Sequence, residues 1–244
     1  AYDIRLSLVG SEMCIRDSDI SDYVADGKPH DLVVRANSDL RSRAQGAGKQ
    51  SLRYNSFGCL YSRTTGIWQT VWVEATSDYS LEHVQVITDI DQRQVVIIPR
   101  YYNTLSTNTL TATISENGKT LAKKSVATVE GMPVVIPFRN FKTWSPEEPN
   151  LYDVEYVIRD KEGNIVDRIK SYLGMRKIHV DGNRIYLNNQ PYYQRLVLDQ
   201  GFYPDGNWTA PSDKALRRDI ELSKAVGFNG ARLHQKVFEE RFHY

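Results

Sequence analysis

Cysteine is scarce in this sequence: Cys14 and Cys59 are the two in 244 residues. Two cysteines do not form the disulfide framework of a small secreted scaffold, and no Cys/His spacing typical of a zinc site occurs. We therefore expect no bound metal and no cofactor. Cys59 is interpreted as an ordinary small residue rather than a nucleophile, because no catalytic motif surrounds it.

Long apolar runs and an excess of one charge are also lacking. No run of about 18 apolar residues occurs, so we predict no membrane-spanning helix and no membrane partner. Lys plus Arg number 31 and Asp plus Glu number 30, so no net field favours a nucleic-acid partner. The chain begins with Ala1 rather than Met, and the sequence makes no prediction of its compartment.

The first 18 residues differ in character from the rest of the chain. Residues 7–18, SLVGSEMCIRDS, show neither the alternation of a strand nor the period of a helix. This run resembles a recurrent translated artefact of sequencing adapters, and an irregular loop is the alternative. We predict that residues 1–18 are an artefact or disordered, and we assign them no function.

Short strand patterns separated by turn signals fill the next part of the sequence. Residues 19–78 read as the end of a β-sandwich, with a predicted strand at 30–36. Residues 79–173 contain seven short strand patterns, which are typical of an immunoglobulin-like β-sandwich. Pro146 and Pro149 exclude a central strand where they occur, so we expect a rigid loop there.

Towards its end the sequence changes to alternating β and α patterns. A strand at 192–198 is followed by a long loop at 199–211. An amphipathic helix at 212–226 comes next, with Ser212 as its N-cap, and a buried strand at 228–234 follows. This strand–loop–helix–strand order predicts the start of a TIM (β/α)8 barrel, in which chemistry is done at the carboxyl ends of the strands.

Five short motifs share their order and spacing with one known family. In chain order they are DISDY at 19–23, RTTGIWQTVW at 63–72, WSPEEPNLY at 144–152, GMRKI at 174–178 with LNNQP at 187–191, and GFNGAR at 227–232. Together they resemble glycoside hydrolase family two, which contains β-galactosidases, β-glucuronidases and β-mannosidases. The resemblance spans residues 19–244 and is an analogy of sequence rather than a derivation of function.

The resemblance implies a multidomain fold, β followed by α/β. The expected parts are the C-terminal part of a jelly-roll-like, sugar-binding β-sandwich at 19–78, an immunoglobulin-like β-sandwich at 79–173, and the first units of a TIM barrel at 174–244. It also implies hydrolysis of β-glycosides by two glutamates, with retention of the anomeric configuration. In the family both glutamates lie on later barrel strands, so we expect a fragment that contains no catalytic residue and is inactive alone.

Four residues at the predicted strand ends are candidates for binding the carbohydrate substrate: Asp199, Gln200, Arg232 and His234. Asp199 can accept hydrogen bonds from neighbouring sugar hydroxyls, and Gln200 can both donate and accept. Turn bonding within the loop is the alternative for both. Arg232 can keep a nucleophilic carboxylate ionised or form a structural ion pair. His234 belongs either to the pocket or to a satisfied polar core.

Two further groups near these candidates have alternative interpretations. Phe202, Tyr203 and Trp208 can stack on a sugar face or simply pack within the loop. Glu239 and Glu240 form an acidic pair that fits the solvated start of a helix better than a catalytic role.

Two departures from the family pattern bear on specificity. Gln200 stands where members often have His, and His234 comes one position early, so that Gln235 takes the usual slot. Both count against β-galactosidase and β-glucuronidase specificity in particular.

Three hypotheses therefore remain open from the sequence. The chain is part of a β-glycosidase, or it is a module that binds carbohydrate without catalysis, or it is a structural β-sandwich fragment. An oligomer is compatible with each of them.

Overall fold

The chain divides into two compact units. The computed structural model describes residues 2–9, 15–39, 41–42, 44 and 46–244, with side chains described from residue 18 onward. The central unit is built on Thr76–Tyr193. The flanking unit consists of Ile4–Ala75 and Gln194–Tyr244, which lie on either side of the central unit in the sequence.

Strands dominate the described residues, as the sequence predicts. In chain order, the elements are β1 (Tyr2–Val9), β2 (Ile15–Asp19), α1 (Ser21–Val24), β3 (Val71–Ser77), β4 (Leu81–Asp89), β5 (Gln94–Tyr101), β6 (Thr109–Glu116), β7 (Lys119–Ala127), β8 (Val134–Pro137), β9 (Tyr152–Arg159), β10 (Ile165–Leu173), β11 (Ile178–Asp181), β12 (Arg184–Leu187), β13 (Gln190–Pro191), β14 (Leu196–Asp199), α2 (Asp213–Ala225), β15 (Gly230–Leu233) and α3 (Glu240–His243).

The central unit is a β-sandwich whose core follows from alternating aliphatic side chains. Alternate residues of a strand face opposite sides of the sheet, so Val95 and Ile97 of β5 point the same way, as do Leu110 and Ile114 of β6. All four are fully buried. The antiparallel sheets β10-β9-β6-β7 and β4-β5-β8 share this core. Each such side chain contributes roughly 1.5–3 kcal/mol when it is removed from water.

Two of the five sequence motifs meet at one place in the central unit. The Trp144 N–H donates to the Met175 carbonyl at 2.9 Å, and the Asn188 side-chain amide donates to the Trp144 carbonyl at 2.9 Å. The Arg176 guanidinium lies 4.9 Å from the centre of the Trp144 ring. A Cβ on Gly174 would come within 3.1 Å of the Trp144 Cβ, a tight contact, so the close approach favours glycine. The motifs therefore form one packed junction around Trp144.

The N-terminal segment of the flanking unit corrects one prediction. β1 and β2 form an antiparallel hairpin, and the three-stranded sheet has the order β2-β1-β3. Residue 1 and residues 10–14 lie outside the described residues, and the interpretation of 1–18 as an artefact stays a prediction. The strand predicted at 30–36 is wrong: these residues have no regular structure, and Val33 is 87% exposed. A strand is stable only when paired, and sequence alternation does not supply a partner.

The C-terminal segment of the flanking unit confirms the predicted order of strand, loop, helix and strand, but the second strand is not buried as predicted, since Gly230, Ala231 and Arg232 are exposed. β14 pairs in parallel with β15, and α2 lies between them in the sequence. The Ser212 Oγ accepts the Ala215 N–H at 3.2 Å, so Ser212 is the N-cap that the sequence predicts. Leu216 is the buried residue of α2.

No helix within the described ranges is long and apolar enough to cross a membrane. The domain boundaries expected at 78/79 and 173/174 stay predictions, since a division into compact units does not identify folding domains.

We predict that the sandwich core makes a large contribution to the stability of the central unit. Ile158 is fully buried in β9, whereas Ile165 at the start of β10 is 46% exposed. Ile158→Ala leaves a cavity and should lower the free energy of unfolding by about 2–5 kcal/mol. The matched control Ile165→Ala should cost less than about 1 kcal/mol. Urea unfolding followed by circular dichroism measures both, and equal losses would contradict this picture of the core.

Candidate functional site

The parallel pairing of β14 with β15 brings three of the four predicted site residues to one edge of a sheet. Asp199 lies opposite Leu233 in the register, and the His234 N–H donates to the Asp199 carbonyl at 2.8 Å. Gln200 directly follows Asp199. Because parallel strands end at the same edge, Asp199, Gln200 and His234 are neighbours there. Arg232 is one step before this edge, opposite Leu198.

The side chains at this edge differ in how they are engaged. Asp199 is half-buried, and its Oδ1 accepts the Gly201 N–H at 2.8 Å, which is the turn bonding considered as its alternative role. Gln200 Oε1 is buried with no hydrogen-bond partner among the described residues. Arg232 is exposed and His234 is half-buried. No salt bridge to Arg232 occurs within the part of the chain that the structure describes.

Lys236 is the residue at this site that sequence reasoning missed. Its Nζ donates to the Gly201 carbonyl at 2.6 Å and to the Trp208 carbonyl at 2.6 Å. It also lies 5.0 Å from the ring centre of Trp68 and 4.8 Å from that of Phe238, within the range of cation–π attraction. The sequence feature that could have indicated this residue is a lysine two positions after His234, with aromatic residues nearby.

Burial lowers the pKa of Lys236 to about 8 from 10.5, while the charges of Glu239 and Asp199 act in the opposite direction. Withdrawal of an ammonium from water disfavours its charged form, which is the physical cause of the lowering. Burial also raises the pKa of Tyr203, and the hydrogen bond that its hydroxyl donates to Asp219 Oδ2 at 2.9 Å adds to this rise.

Aromatic residues of the long loop pack against the segment that contains the RTTGIWQTVW motif. Phe202 stacks on Tyr61 with ring centres 4.4 Å apart, and Trp208 lies 5.2 Å from Trp68. Trp208 is only 6% exposed. The structure therefore favours loop packing, the alternative considered for these aromatics, over a free face for sugar.

Two hydrogen bonds join the same motif segment to both loops at the sheet edge. The Thr209 hydroxyl donates to the Trp68 carbonyl at 2.9 Å, and the Gln69 side-chain amide donates to the Val237 carbonyl at 3.3 Å. The motif thus contacts the chain that follows β14 and the chain that follows β15.

The acidic pair after β15 is divided between two environments. Glu239 is buried, 8% exposed, so its interpretation as part of a solvated helix start is wrong. Its Oε2 accepts the Arg241 Nε–H at 2.6 Å, and Arg241 also binds Asp213 at 2.8 Å. Burial of a carboxylate is costly without a charged partner, and the Arg241 guanidinium supplies that partner for Glu239. Glu240 is exposed and begins α3, as expected.

A cleft of about 330 Å³ lies beside this pair. Its lining consists of Gln69, Thr70, Trp72, Glu239, Glu240 and Arg241. Among the described residues, no group of three or more His, Cys, Asp or Glu side chains is arranged to hold a metal ion.

The fold and the site together define a β-rich protein of two compact units, with polar residues at the carboxyl edge of a parallel strand pair. Residues 78–176 match the model of the family described as Glycosyl hydrolases family 2. The family that the motifs indicate, glycoside hydrolase family two, is confirmed for these residues.

Two curated proteins are similar to a larger part of the chain than the family model is. A protein of Formosa agariphila is 26% identical over 228 residues, covering 88% of this chain and 26% of that protein. The β-galactosidase of Lactococcus lactis is 23% identical over 184 residues, covering 74% of this chain and 18% of the enzyme. The chain thus spans about a quarter or less of these relatives.

Solved structures support the fold. A glycosyl hydrolase family 2 member from Bacteroides cellulosilyticus aligns with a TM-score of 0.69 and 20% identity, covering 95% of this chain and 32% of that one. A β-glucuronidase from Ruminococcus gnavus aligns with a TM-score of 0.60 and 19% identity, covering 69% and 28%.

We predict that Gly201 is sterically required at the site. It has φ +62°, and a Cβ there would come within 2.7 Å of Phe238 and 2.8 Å of Lys236 Nζ. Gly58 has a similar φ of +55° but nothing within 4 Å of its Cβ position. Gly201→Ala should therefore cost about 1–3 kcal/mol more than Gly58→Ala, because only the first adds a clash to the backbone strain. Thermal unfolding compares the two, and equal shifts would refute the steric explanation.

The burial of Lys236 predicts a lysine that titrates early. Its Cε resonance should titrate with a midpoint of about 8, against 10.5 for an ordinary lysine. The folded state loses this proton first, so the group should increase the free energy of unfolding as the pH rises from about 8 towards 10.5. NMR of ¹³C-lysine-labelled protein measures the midpoint. The early signal should vanish in Lys236→Met and persist in Lys214→Met; its persistence in Lys236→Met would assign it elsewhere.

Proposed function

We propose that the protein to which this chain belongs hydrolyses the O-glycosidic bonds of β-glycosides by a retaining, double-displacement mechanism. The observation that carries this proposal is the parallel β14–β15 pair of a family-two chain, with Asp199, Gln200 and His234 together at its carboxyl edge. Polar side chains converging at the carboxyl ends of parallel strands are the usual setting of active sites in α/β barrels.

The proposal assigns a finer architecture to the sheets described above. Residues 19–78 are the C-terminal part of a jelly-roll-like sugar-binding sandwich, and 79–173 are an immunoglobulin-like sandwich. Residues 174–244 are the first units of a TIM barrel. The support is the fold likeness to the Bacteroides cellulosilyticus protein over 95% of this chain, together with the strand–loop–helix–strand order.

The four site residues bind substrate in this proposal. Gln200 is supported by its buried, unpartnered Oε1, since an unpaired acceptor is costly unless a ligand supplies a donor. Asp199 still has Oδ2 to offer a sugar hydroxyl while Oδ1 holds the turn. Arg232 is exposed on β15 and can approach a nucleophilic carboxylate, and His234 directly follows the same strand at its carboxyl edge.

The acid and the nucleophile are assigned to residues outside this chain. Retention requires two carboxyl groups roughly 5 Å apart on either side of the scissile bond. Glu239, the buried carboxylate near the site, is bound to Arg241 and to the loop backbone at Ala210. This engagement supports a structural role for it. We accordingly propose that the 244-residue chain is inactive by itself.

The substrate class rests on the relatives. The Lactococcus lactis protein is named a β-galactosidase and the Ruminococcus gnavus protein a β-glucuronidase, and both names describe enzymes that act on β-glycosides. We propose a β-glycoside as the substrate of this protein too.

We predict that the 244-residue chain releases no nitrophenol from nitrophenyl β-glycosides. The longer protein that contains it should release nitrophenol and retain the anomeric configuration, which ¹H NMR of the first-formed sugar product measures.

In that longer protein, Asp199→Asn should lower kcat/KM by about 10- to 100-fold, because one charge-assisted hydrogen bond to the substrate is lost. Asn can still accept the Gly201 N–H through its Oδ1, so the turn should survive.

The control is Asp205→Asn, an exposed carboxylate in the same loop, which should leave kcat/KM unchanged. Glycoside binding without any turnover in the longer protein would establish the carbohydrate-binding module instead. Turnover by the 244-residue chain would overturn the assignment of the catalytic glutamates.

A further inference from the structure

Lys236 makes contacts that link three separate stretches of the flanking unit. The Gly201 and Trp208 carbonyls lie at the beginning and towards the end of the loop between β14 and α2, and Lys236 Nζ donates to both at 2.6 Å. The lysine itself follows β15, and its ammonium faces Trp68 of the N-terminal segment. One side chain therefore bridges the loop to the two segments on which it rests.

Several groups together stabilise the positive charge of Lys236. Asp199 at the end of β14 and Glu239 before α3 are the carboxylates that favour its ammonium form. Tyr203 contributes a ring 6.0 Å away and Phe238 one at 4.8 Å. Arg241 does not compete with Lys236 for the loop carbonyls of Gly201 and Trp208, because it binds Glu239, Asp213 and the Ala210 carbonyl.

The beginning of the loop has little other support, whereas its end is also held by the Thr209 hydroxyl on the Trp68 carbonyl and by Arg241 on the Ala210 carbonyl. The hydrogen bonds within the loop region are the Gly201 N–H to Asp199 Oδ1, the reciprocal pair between Tyr203 and Asn207, and the Thr209 N–H to the Gly206 carbonyl. All of these are local in sequence, so they shape turns without fixing the beginning of the loop relative to β15. Lys236 is the polar side chain from beyond β15 that binds both ends.

We propose that Lys236 is a positioning residue that holds the loop after β14 in the conformation that presents Asp199 and Gln200 to the substrate. The presentation of a substrate rests on the proposed function, whereas the fixing of the loop rests on geometry alone. The ammonium binds both loop carbonyls at once, and its aliphatic part fills the space over Gly201, where any Cβ would collide with it.

The test is hydrogen exchange of the loop amides in the 244-residue chain. Lys236→Met keeps the size of the side chain and removes all of its donors. We expect exchange at Gly201, Tyr203 and Asn207 to accelerate by about tenfold or more, because local opening then costs less free energy. Amides of β5 and β6 in the central unit should not change. Lys214→Met, on the exposed side of α2, is the matched control and should leave the loop unchanged.

A chemical rescue separates positioning from space filling. In a Cys14→Ser, Cys59→Ser background, Lys236→Cys is alkylated while unfolded and then refolded. Bromoethylamine restores an ammonium of almost the same length, and bromopropane gives a neutral chain of that length. We expect the aminoethyl form alone to restore slow loop exchange. Equal protection in both forms would overturn the proposal, as would unchanged exchange in Lys236→Met.

The two alkylated proteins also test the proposal if Lys236→Met does not fold. Folding restored by both alkyl groups would reduce Lys236 to a packing role, whereas folding restored by the ammonium alone would support the proposal. If the longer protein does not hydrolyse glycosides, the proposed function is refuted, but the exchange results for Lys236 remain valid. If the exchange rates do not change, the positioning role is refuted, but the proposed hydrolysis is not affected.

Discussion

The parallel register of β14 on β15 is the constraint on which the candidate site depends. Pairing Asp199 with Leu233 means that the chain leaves both strands at the same edge, so the residues that follow each strand must meet. A slip by one position would turn every side chain of one strand to the other face. The meeting of Gln200, His234 and Lys236 is therefore a consequence of backbone pairing rather than of attraction between these side chains. The turn at Gly201 then brings the loop carbonyls within reach of the lysine.

Sequence reasoning succeeded where the signal is local. The helix over 212–226 was predictable because its apolar period and the Ser212 cap lie within one short window, and α2 occupies Asp213–Ala225. It failed for the strand at 30–36, since alternation cannot reveal whether a partner strand exists. Lys236 was missed for a related reason: its partners include Trp68, far away in the sequence, and no spacing rule connects them. The aromatic residues of the loop were recognised, but the covering of Trp208 by Trp68 is a tertiary fact.

The family motifs have different physical roles in the two units. In the central unit, Trp144 with Gly174, Arg176 and Asn188 forms a packed junction whose parts restrict one another sterically. In the flanking unit, the segment around Trp68 and Gln69 supports the loops at the sheet edge by two hydrogen bonds and ring contacts. Neither set supplies a group that would break a glycosidic bond. Both sets of motifs therefore mark the family through its architecture rather than through its chemistry.

The division of the flanking unit into two segments has a consequence for how the molecule is made. The ribosome releases Ile4–Ala75 first, but the residues that pack against Tyr61 and Trp68 come after Tyr193. Synthesis of the intervening chain takes on the order of ten seconds. Over that interval the aromatic residues of the first segment lack their native partners. The nascent chain thus passes through a stage in which Tyr61 and Trp68 are already made but Phe202 and Trp208, which cover them in the folded unit, are not.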